Sequence, residues 1–169
     1  ISDILGVFLP FMGKELEAMT FAEVFLYAFV GVALVEELCK WLMVYTGGYN
    51  HNEFDEIYDI LVYSIFVSLG FAFFENLLYV FNTGSLSIAL LRAVSAIPGH
   101  ACDAVFMGYY LSLAKQCKVL KRPEQEKSFK LKSLFIPAIL HGIYDFCLMS
   151  GQAILVIVFF FLYNEFVML

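Results

Sequence analysis

Charge is what this sequence lacks most. Only 15% of its residues are Asp, Glu, Lys or Arg, while 62% are hydrophobic; soluble domains are about a quarter charged and about half apolar. That imbalance excludes an ordinary soluble domain and points to a chain built for a bilayer. Basic residues are outnumbered by acidic ones, giving a formal net charge of −6. This excludes a nucleic-acid binder, which needs a basic face. Cysteine is sparse: Cys39, Cys102, Cys117 and Cys147 are the only four, and none stands in CxxC spacing. A zinc ribbon and a disulfide framework are therefore not suggested, and small buried side chains are the simpler role. Neither a GxSxG nucleophile motif nor HExxH is present, and no pair of Asp residues stands in a YD…GxGD arrangement. Conventional serine hydrolases, zincins and aspartyl proteases lose their main signature. A basic n-region followed by a small-residue cleavage site is also missing. The sequence opens on Ile1, and its first apolar run, Ile1–Met12, is too short to span a bilayer. Residues 1–20 accordingly read as an interfacial or truncated segment.

Long apolar runs are what is there. Five occur: about Phe21–Thr46, Ile57–Phe81, Leu86–Ala114, Ser133–Met149 and Ala153–Val167. Each is close to the ~20 residues of a spanning helix. Transmembrane strands would be ~10 residues long and strictly alternating, which these are not. The expectation is an all-α polytopic transmembrane bundle of about five spanning helices, one membrane-embedded domain over residues 1–169. Seven of the ten Lys and Arg lie between the third and fourth runs: Lys115, Lys118, Lys121, Arg122, Lys127, Lys130 and Lys132. The positive-inside rule makes 115–132 a basic cytoplasmic loop, puts the Gly47–Glu56 connection on the same side, and turns Asn82–Ser85 and Ser150–Gly151 outward.

Ionisable residues inside these runs stand against the pattern. The first run holds Glu36, Glu37 and Lys40; the second Glu75, followed by Asn76; the third His100 and Asp103; the fourth His141 and Asp145. A lipid-facing charge at mid-depth costs ~2.5–3.5 kcal/mol, so the six Asp, Glu and Lys together would cost roughly 15–20 kcal/mol if all faced lipid. They must face one another or a polar interior, and such residues are a functional site by default. Lys40 lies within reach of either glutamate on its helix. Glu36 and Glu37 point about 100° apart, so they serve different partners. His100 and Asp103 are three apart, and His141 and Asp145 four; each Asp can take a hydrogen bond from one ring nitrogen and so fix the tautomer. Pro98, just before His100, would kink its helix and open a polar pocket. Three chemistries fit these groups. A carboxylate could activate water with imidazole as its partner. Histidines and glutamates could bind Zn²⁺ with one position left for water, the donors being Glu37, Glu75, His100 and His141. The same core could carry ions or protons in a transporter, although neither inverted repeats nor paired broken helices are visible.

Four stretches resemble the motifs of PrsW-type intramembrane proteases. Glu36-Glu37-Leu38-Cys39-Lys40 is similar to EExxK, and Gly70-Phe71-Ala72-Phe73-Phe74-Glu75-Asn76 to GFAxxEN. The run from Arg92 through Pro98-Gly99-His100-Ala101, followed by Gly108-Tyr109-Tyr110, resembles the third, and His141-Gly142-Ile143-Tyr144-Asp145-Phe146 the fourth. They occur in order, one per helix, from about Val35 to Phe146. The resemblance implies a place in the superfamily of CAAX prenyl proteases and bacteriocin-processing enzymes. It implies an endopeptidase of the cell membrane whose substrate is a single-span protein. That substrate would be an anti-sigma factor, cut on the extracytoplasmic side as the first step of a stress-response cascade. Catalytic positions would be Glu36, Glu37, Glu75, His100 and His141, with Glu36 or Glu37 activating water. Lys40, Asn76, Asp103 and Asp145 would support them. Prenyl-protease relatives carry His where this sequence has Glu75, and family members have been described both as glutamate-type and as metal-dependent enzymes, with zinc the metal in question.

Overall fold

A computed structural model describes residues 15–51 and 56–151, with Ile57 by its backbone alone. The expected fifth span at Ala153–Val167 and most of the N-terminal segment at 1–20 lie outside these residues. Every regular element described is helical. After a 3₁₀ turn, Leu16–Ala18, come α1 (Phe21–Leu26), a π-helical stretch (Tyr27–Ala33), α2 (Leu34–Val44) and a second π-helical stretch (Tyr45–Tyr49). Then follow α3 (Ile57–Thr83), α4 (Leu86–Val94), α5 (Ala96–Val119) and α6 (Pro123–Met149). Among the described residues, three helical stretches are long and apolar enough to cross a membrane: Tyr58–Thr83, Leu86–Val119 and Pro123–Met149. Large apolar side chains cover their outsides, with Phe66, Phe73, Phe74, Phe81, Leu90 and Val94 all exposed. Water would oppose so much apolar surface, and lipid does not. The chain is a membrane-embedded all-α protein.

The ends of these helices follow local chemistry. Thr20 accepts a hydrogen bond from the Glu23 backbone N–H, and the Glu23 carboxylate accepts one from that of Thr20, a reciprocal capping box that starts α1. Gly84 stops α3 in the left-handed conformation (φ 65°), where a Cβ would be strained, and its N–H donates to Val80 O. The third apolar run does not form one kinked helix. It breaks at Ser95 (φ −116°, ψ −66°), and Pro98 sits in the first turn of α5. The first N–H groups of a helix have no partner within it, so proline costs nothing there. The basic stretch 115–132 is also more ordered than its composition implies. Its lysines and glutamines continue α5 to Val119, α6 begins at Pro123, and only Leu120–Arg122 lie between the two helices.

The chain divides into two compact units, one of Ile1–Glu36 and Ala138–Leu169, the other of Glu37–Pro137. In the first, aromatic rings pack the C-terminal part of α6. Phe21 and Phe25 meet the Phe146 ring edge-on at centroid distances of 4.9 and 5.6 Å, and Phe25 stacks on Phe29. Phe29 lies against Gly142, where a Cβ would come within 2.6 Å of its ring.

In the second unit, α3 and α5 make the principal contact. Small residues at intervals of four line it: Ser64, Ser68 and Ala72 on α3, and Ala104, Gly108 and Ser112 on α5, all buried. Helices in lipid gain no hydrophobic drive toward each other, and small side chains let their backbones approach closely. The Ser64 and Ser112 hydroxyls donate to carbonyls of their own helices, and Ser68 Oγ donates across the seam to His100 O at 2.7 Å. A Cβ at Gly108 would stand 2.6 Å from Leu61 Cα, a backbone atom that cannot step aside. Gly108→Ala is therefore expected to destabilise the protein by about 1–3 kcal/mol through overpacking. Denaturant titration of the purified protein in detergent measures this, and unchanged stability would contradict the close approach.

Toward the end of the Tyr45–Tyr49 stretch lies a second seam of the same unit. Val44, Tyr49, Ile60, Met107, Leu111 and Ala114 form a buried apolar cluster. Trp41, Tyr45 and Tyr49 stack in succession at 4.6 and 5.0 Å. Trp41 Nε1 donates to Ser133 Oγ, and Tyr49 donates to Glu126, which pairs with Lys130. Burial, with Glu126 beside it, holds the Tyr49 hydroxyl proton far above the ordinary tyrosine range.

Candidate active site

Glutamate and histidine meet in both units. In the unit of Ile1–Glu36 and Ala138–Leu169 the partners are Glu36, His141 and Asp145. His141 and Asp145 are one turn apart on α6, with Nε2 to Oδ2 at 3.3 Å. Glu36, near the start of α2, brings Oε2 to 3.9 Å from the same Nε2. The two carboxylates thus address one ring nitrogen, rather than Asp145 taking one side of the ring and leaving the other. His141 is 5% exposed, while both carboxylates keep partial exposure. The aromatic packing of Phe21, Phe25 and Phe29 against Gly142 and Phe146 fixes the part of α6 that carries His141. The stretch leading to Glu36, Tyr27–Ala33, is π-helical, and such widened turns occur often at functional sites.

In the unit of Glu37–Pro137, five side chains form an unbroken chain of polar contacts. Glu37 Oε1 accepts from Lys40 Nζ at 2.6 Å, and both residues are fully buried. Lys40 Nζ stands 2.9 Å from His100 Nδ1. His100 Nε2 lies 3.2 Å from Glu75 Oε2, and Glu75 Oε1 accepts from an Arg92 Nη at 2.7 Å. An ammonium has only protons to offer, so Nδ1 accepts from Lys40 and carries no hydrogen itself. The ring's hydrogen is then on Nε2 and points to Glu75. The charges alternate along the chain, negative at Glu37 and Glu75, positive at Lys40 and Arg92, and they cancel. Aromatic faces cover both cations, Phe71 at 4.9 Å from Lys40 Nζ and Tyr79 at 3.9 Å from the Arg92 guanidinium. This arrangement lets four charged groups lie in an apolar bundle without an uncompensated ion.

Each residue singled out in the sequence has a definite place. Glu36 approaches His141 in one unit, and Glu37 pairs with Lys40 in the other. His100 takes Lys40 and Glu75 on its two nitrogens, partners from α2 and α3. Asp103 is buried one turn further along α5. Asn76 Nδ2 donates to Ala89 O, tying α3 to α4. Two residues not among the site residues singled out in the sequence join it, Arg92, which pairs with Glu75, and Ser68, which holds the His100 carbonyl. The signal for Arg92 was its place in the same motif run as His100.

The profile of a family described as "PrsW family intramembrane metalloprotease" matches residues 2–168. Among curated proteins, the chain is 44% identical over 125 residues to Protease PrsW of Geobacillus kaustophilus, covering 74% of this chain and 53% of that one. It is 42% identical to Protease PrsW of Oceanobacillus iheyensis, covering 74% and 55%. With Protease PrsW of Bacillus subtilis it shares 38%, covering 73% and 55%. The chain thus spans about half the length of these relatives. No solved structure matches.

The family description implies a metal ion, and the donors differ in how well they suit one. Glu37, Glu75 and His100 already share the cations Lys40 and Arg92, and a divalent ion among them would have to displace these. His141 Nε2, with Asp145 at 3.3 Å and Glu36 at 3.9 Å, offers an imidazole and two carboxylates, donor types that zinc accepts.

Proposed function

The chain belongs to the PrsW family of intramembrane metalloproteases, and on that premise we propose that it is the catalytic part of an endopeptidase that hydrolyses a peptide bond of a single-span membrane protein. The observation that carries this reading is the approach of Glu36 to His141 within an apolar, membrane-embedded chain. At 3.9 Å the two groups are too far apart for a direct hydrogen bond, and one water can touch both. Glu36 is the group proposed to take a proton from that water as the bond to the carbonyl carbon forms and to give it to the leaving amine as the C–N bond breaks, with His141 Nε2 hydrogen-bonded to the same water. Asp145 holds the His141 ring in orientation. On the alternative, metal-dependent route these groups would act as ligands instead, with the ion held by His141 Nε2 and the Glu36 and Asp145 carboxylates. Bound there, it would lower the pKa of a coordinated water and supply the nucleophile. The resemblance adds Glu37, Glu75 and His100 to the required groups and allows either Glu36 or Glu37 to activate water; the approach of Glu36 to His141 favours Glu36.

The proposed substrate is an anti-sigma factor, cut on the extracytoplasmic side, with the Leu120–Arg122 turn and its flanking lysines in the cytoplasm. The relatives named above are all described as proteases, which favours hydrolysis over ion or proton transport by the same side chains. Purified protein in proteoliposomes should cleave a co-reconstituted single-span anti-sigma factor. If a metal supplies the nucleophile, a chelator should abolish that cleavage and added Zn²⁺ should restore it. Cleavage that persists with no metal detectable by elemental analysis would eliminate the metal route, and no cleavage of any single-span substrate would overturn the proposal.

A further inference from the structure

The turn between α5 and α6, Leu120–Arg122, has two features that the proposed reaction does not use: a cluster of cations and a backbone ill suited to the residue at its centre. Residues 115–132 hold seven basic side chains and two acidic ones, Glu124 and Glu126, in a chain of net charge −6. Four of the seven cations have partners within the fold. Lys115 donates to the His51 carbonyl, Lys118 and Lys130 lie over the Tyr49 ring, and Lys132 lies over Phe129. Glu126 is engaged with Tyr49 and Lys130. Lys121, Arg122 and Lys127 remain, all exposed and none in an ion pair with another described residue.

The helices α5 and α6 are 24 and 27 residues long, ~36 and ~40 Å at 1.5 Å per residue, and a bilayer with its headgroups is ~40–45 Å thick. Their shared turn therefore falls at headgroup level. Val119 and Leu120 are 76% and 60% exposed there. A solvated face would account for the three cations, but not for two exposed aliphatic side chains beside them. A lipid interface accounts for both, since aliphatic groups enter the acyl boundary while cations meet anionic headgroups. Lys121 is an independent sign. Its N–H donates to Lys118 O and that of Arg122 to Cys117 O, the paired bonds of a Schellman turn that ends α5. Lys121 itself is left-handed (φ 55°), a conformation in which a Cβ is strained and glycine is the usual occupant. A lysine kept where glycine would close the turn with less strain is explained by a use for its ammonium.

We propose that the α5–α6 turn binds an anionic phospholipid, with Lys121, Arg122 and Lys127 on the headgroup and Val119 and Leu120 against the start of its acyl chains. The site is independent of the protease reading. Full-length protein in neutral detergent, titrated with phosphatidylglycerol or phosphatidylcholine and read by native mass spectrometry, should retain phosphatidylglycerol in preference. Its affinity should fall as salt is raised. Each lost cation should weaken it about fivefold, and Lys121→Gln/Arg122→Gln/Lys127→Gln about 100-fold. Lys121→Gly should show the fivefold loss yet melt no lower than wild type in lipid-free detergent, a combination that a purely structural lysine would not give. Equal retention of the two lipids by the wild type would overturn the proposal whatever the variants do. So would wild-type affinity in Lys121→Gly and the triple variant. Displacement of the lipid by an equal concentration of inorganic phosphate would overturn it too, because the site would then recognise phosphate without its acyl chains.

Discussion

Replacing Glu36 by Gln is expected to slow cleavage about 10²–10⁴-fold, the usual contribution of a general base, with little change in the stability of the protein. Gln keeps the size of the side chain and a carbonyl oxygen in place of a carboxylate oxygen. It loses the charge and the capacity to take a proton. Glu36 is partly exposed, and its Oε2 stands 3.9 Å from His141 Nε2, too far for a direct hydrogen bond. Glu37 differs: it is fully buried and joined to Lys40 at 2.6 Å. Its Gln variant should lose stability as well as activity, because an ammonium is left in an apolar bundle with half its compensation gone. The two variants, assayed side by side for cleavage and for melting in detergent, separate a chemical role from a structural one. Cleavage by Glu36→Gln at the wild-type rate would remove Glu36 from the mechanism. Equal melting losses in both variants would remove the distinction between neighbours.

That distinction was readable in the sequence, because adjacent residues on a helix cannot share a face. So was the stop at Gly84, where Asn, Thr, Gly and Ser follow an apolar run. Helix spacing failed in one direction only. It offered Asp103 to His100 because three residues is a helical step, whereas the ring's two nitrogens are taken by Lys40 and Glu75, 60 and 25 residues away in sequence. No periodicity encodes such pairings; they follow from the packing of α3 on α5, with Ser68 bonded to the His100 carbonyl at the seam. The same limit hid Arg92, whose partner is on another helix. Proline misled for a different reason. Its effect depends on its distance from the helix start, and that start, at Ala96, is set by the break at Ser95 rather than by the proline. The basic stretch misled because its charge marks a membrane side, while its residue types are good helix formers.

Lys40→Met should be among the most destabilising substitutions in the protein, at about 3–5 kcal/mol, the cost of removing one partner of a buried ion pair. Met reproduces the unbranched apolar stem of lysine and lacks only the terminal nitrogen, so packing changes little and the loss falls on the polar contacts. Glu37 loses the donor at 2.6 Å and is left as a buried carboxylate; His100 loses the donor to Nδ1 at 2.9 Å. If the charge left on Glu37 is the main cost, the double variant Glu37→Gln/Lys40→Met should recover most of the lost stability, since a buried ion pair replaced as a unit is often neutral or better. Denaturant titration of the wild type, both single variants and the double variant gives the coupling energy directly. A double variant whose loss equals the sum of the two single losses would mean that Glu37 and Lys40 do not act as a pair. Activity should not recover with stability. In the double variant His100 still lacks the group that holds its Nδ1 as an acceptor, so the ring is free to change tautomer in a protein that is otherwise folded. A stable double variant that cleaves poorly would place the functional weight of Lys40 on its contact with His100, and the structural weight on its contact with Glu37.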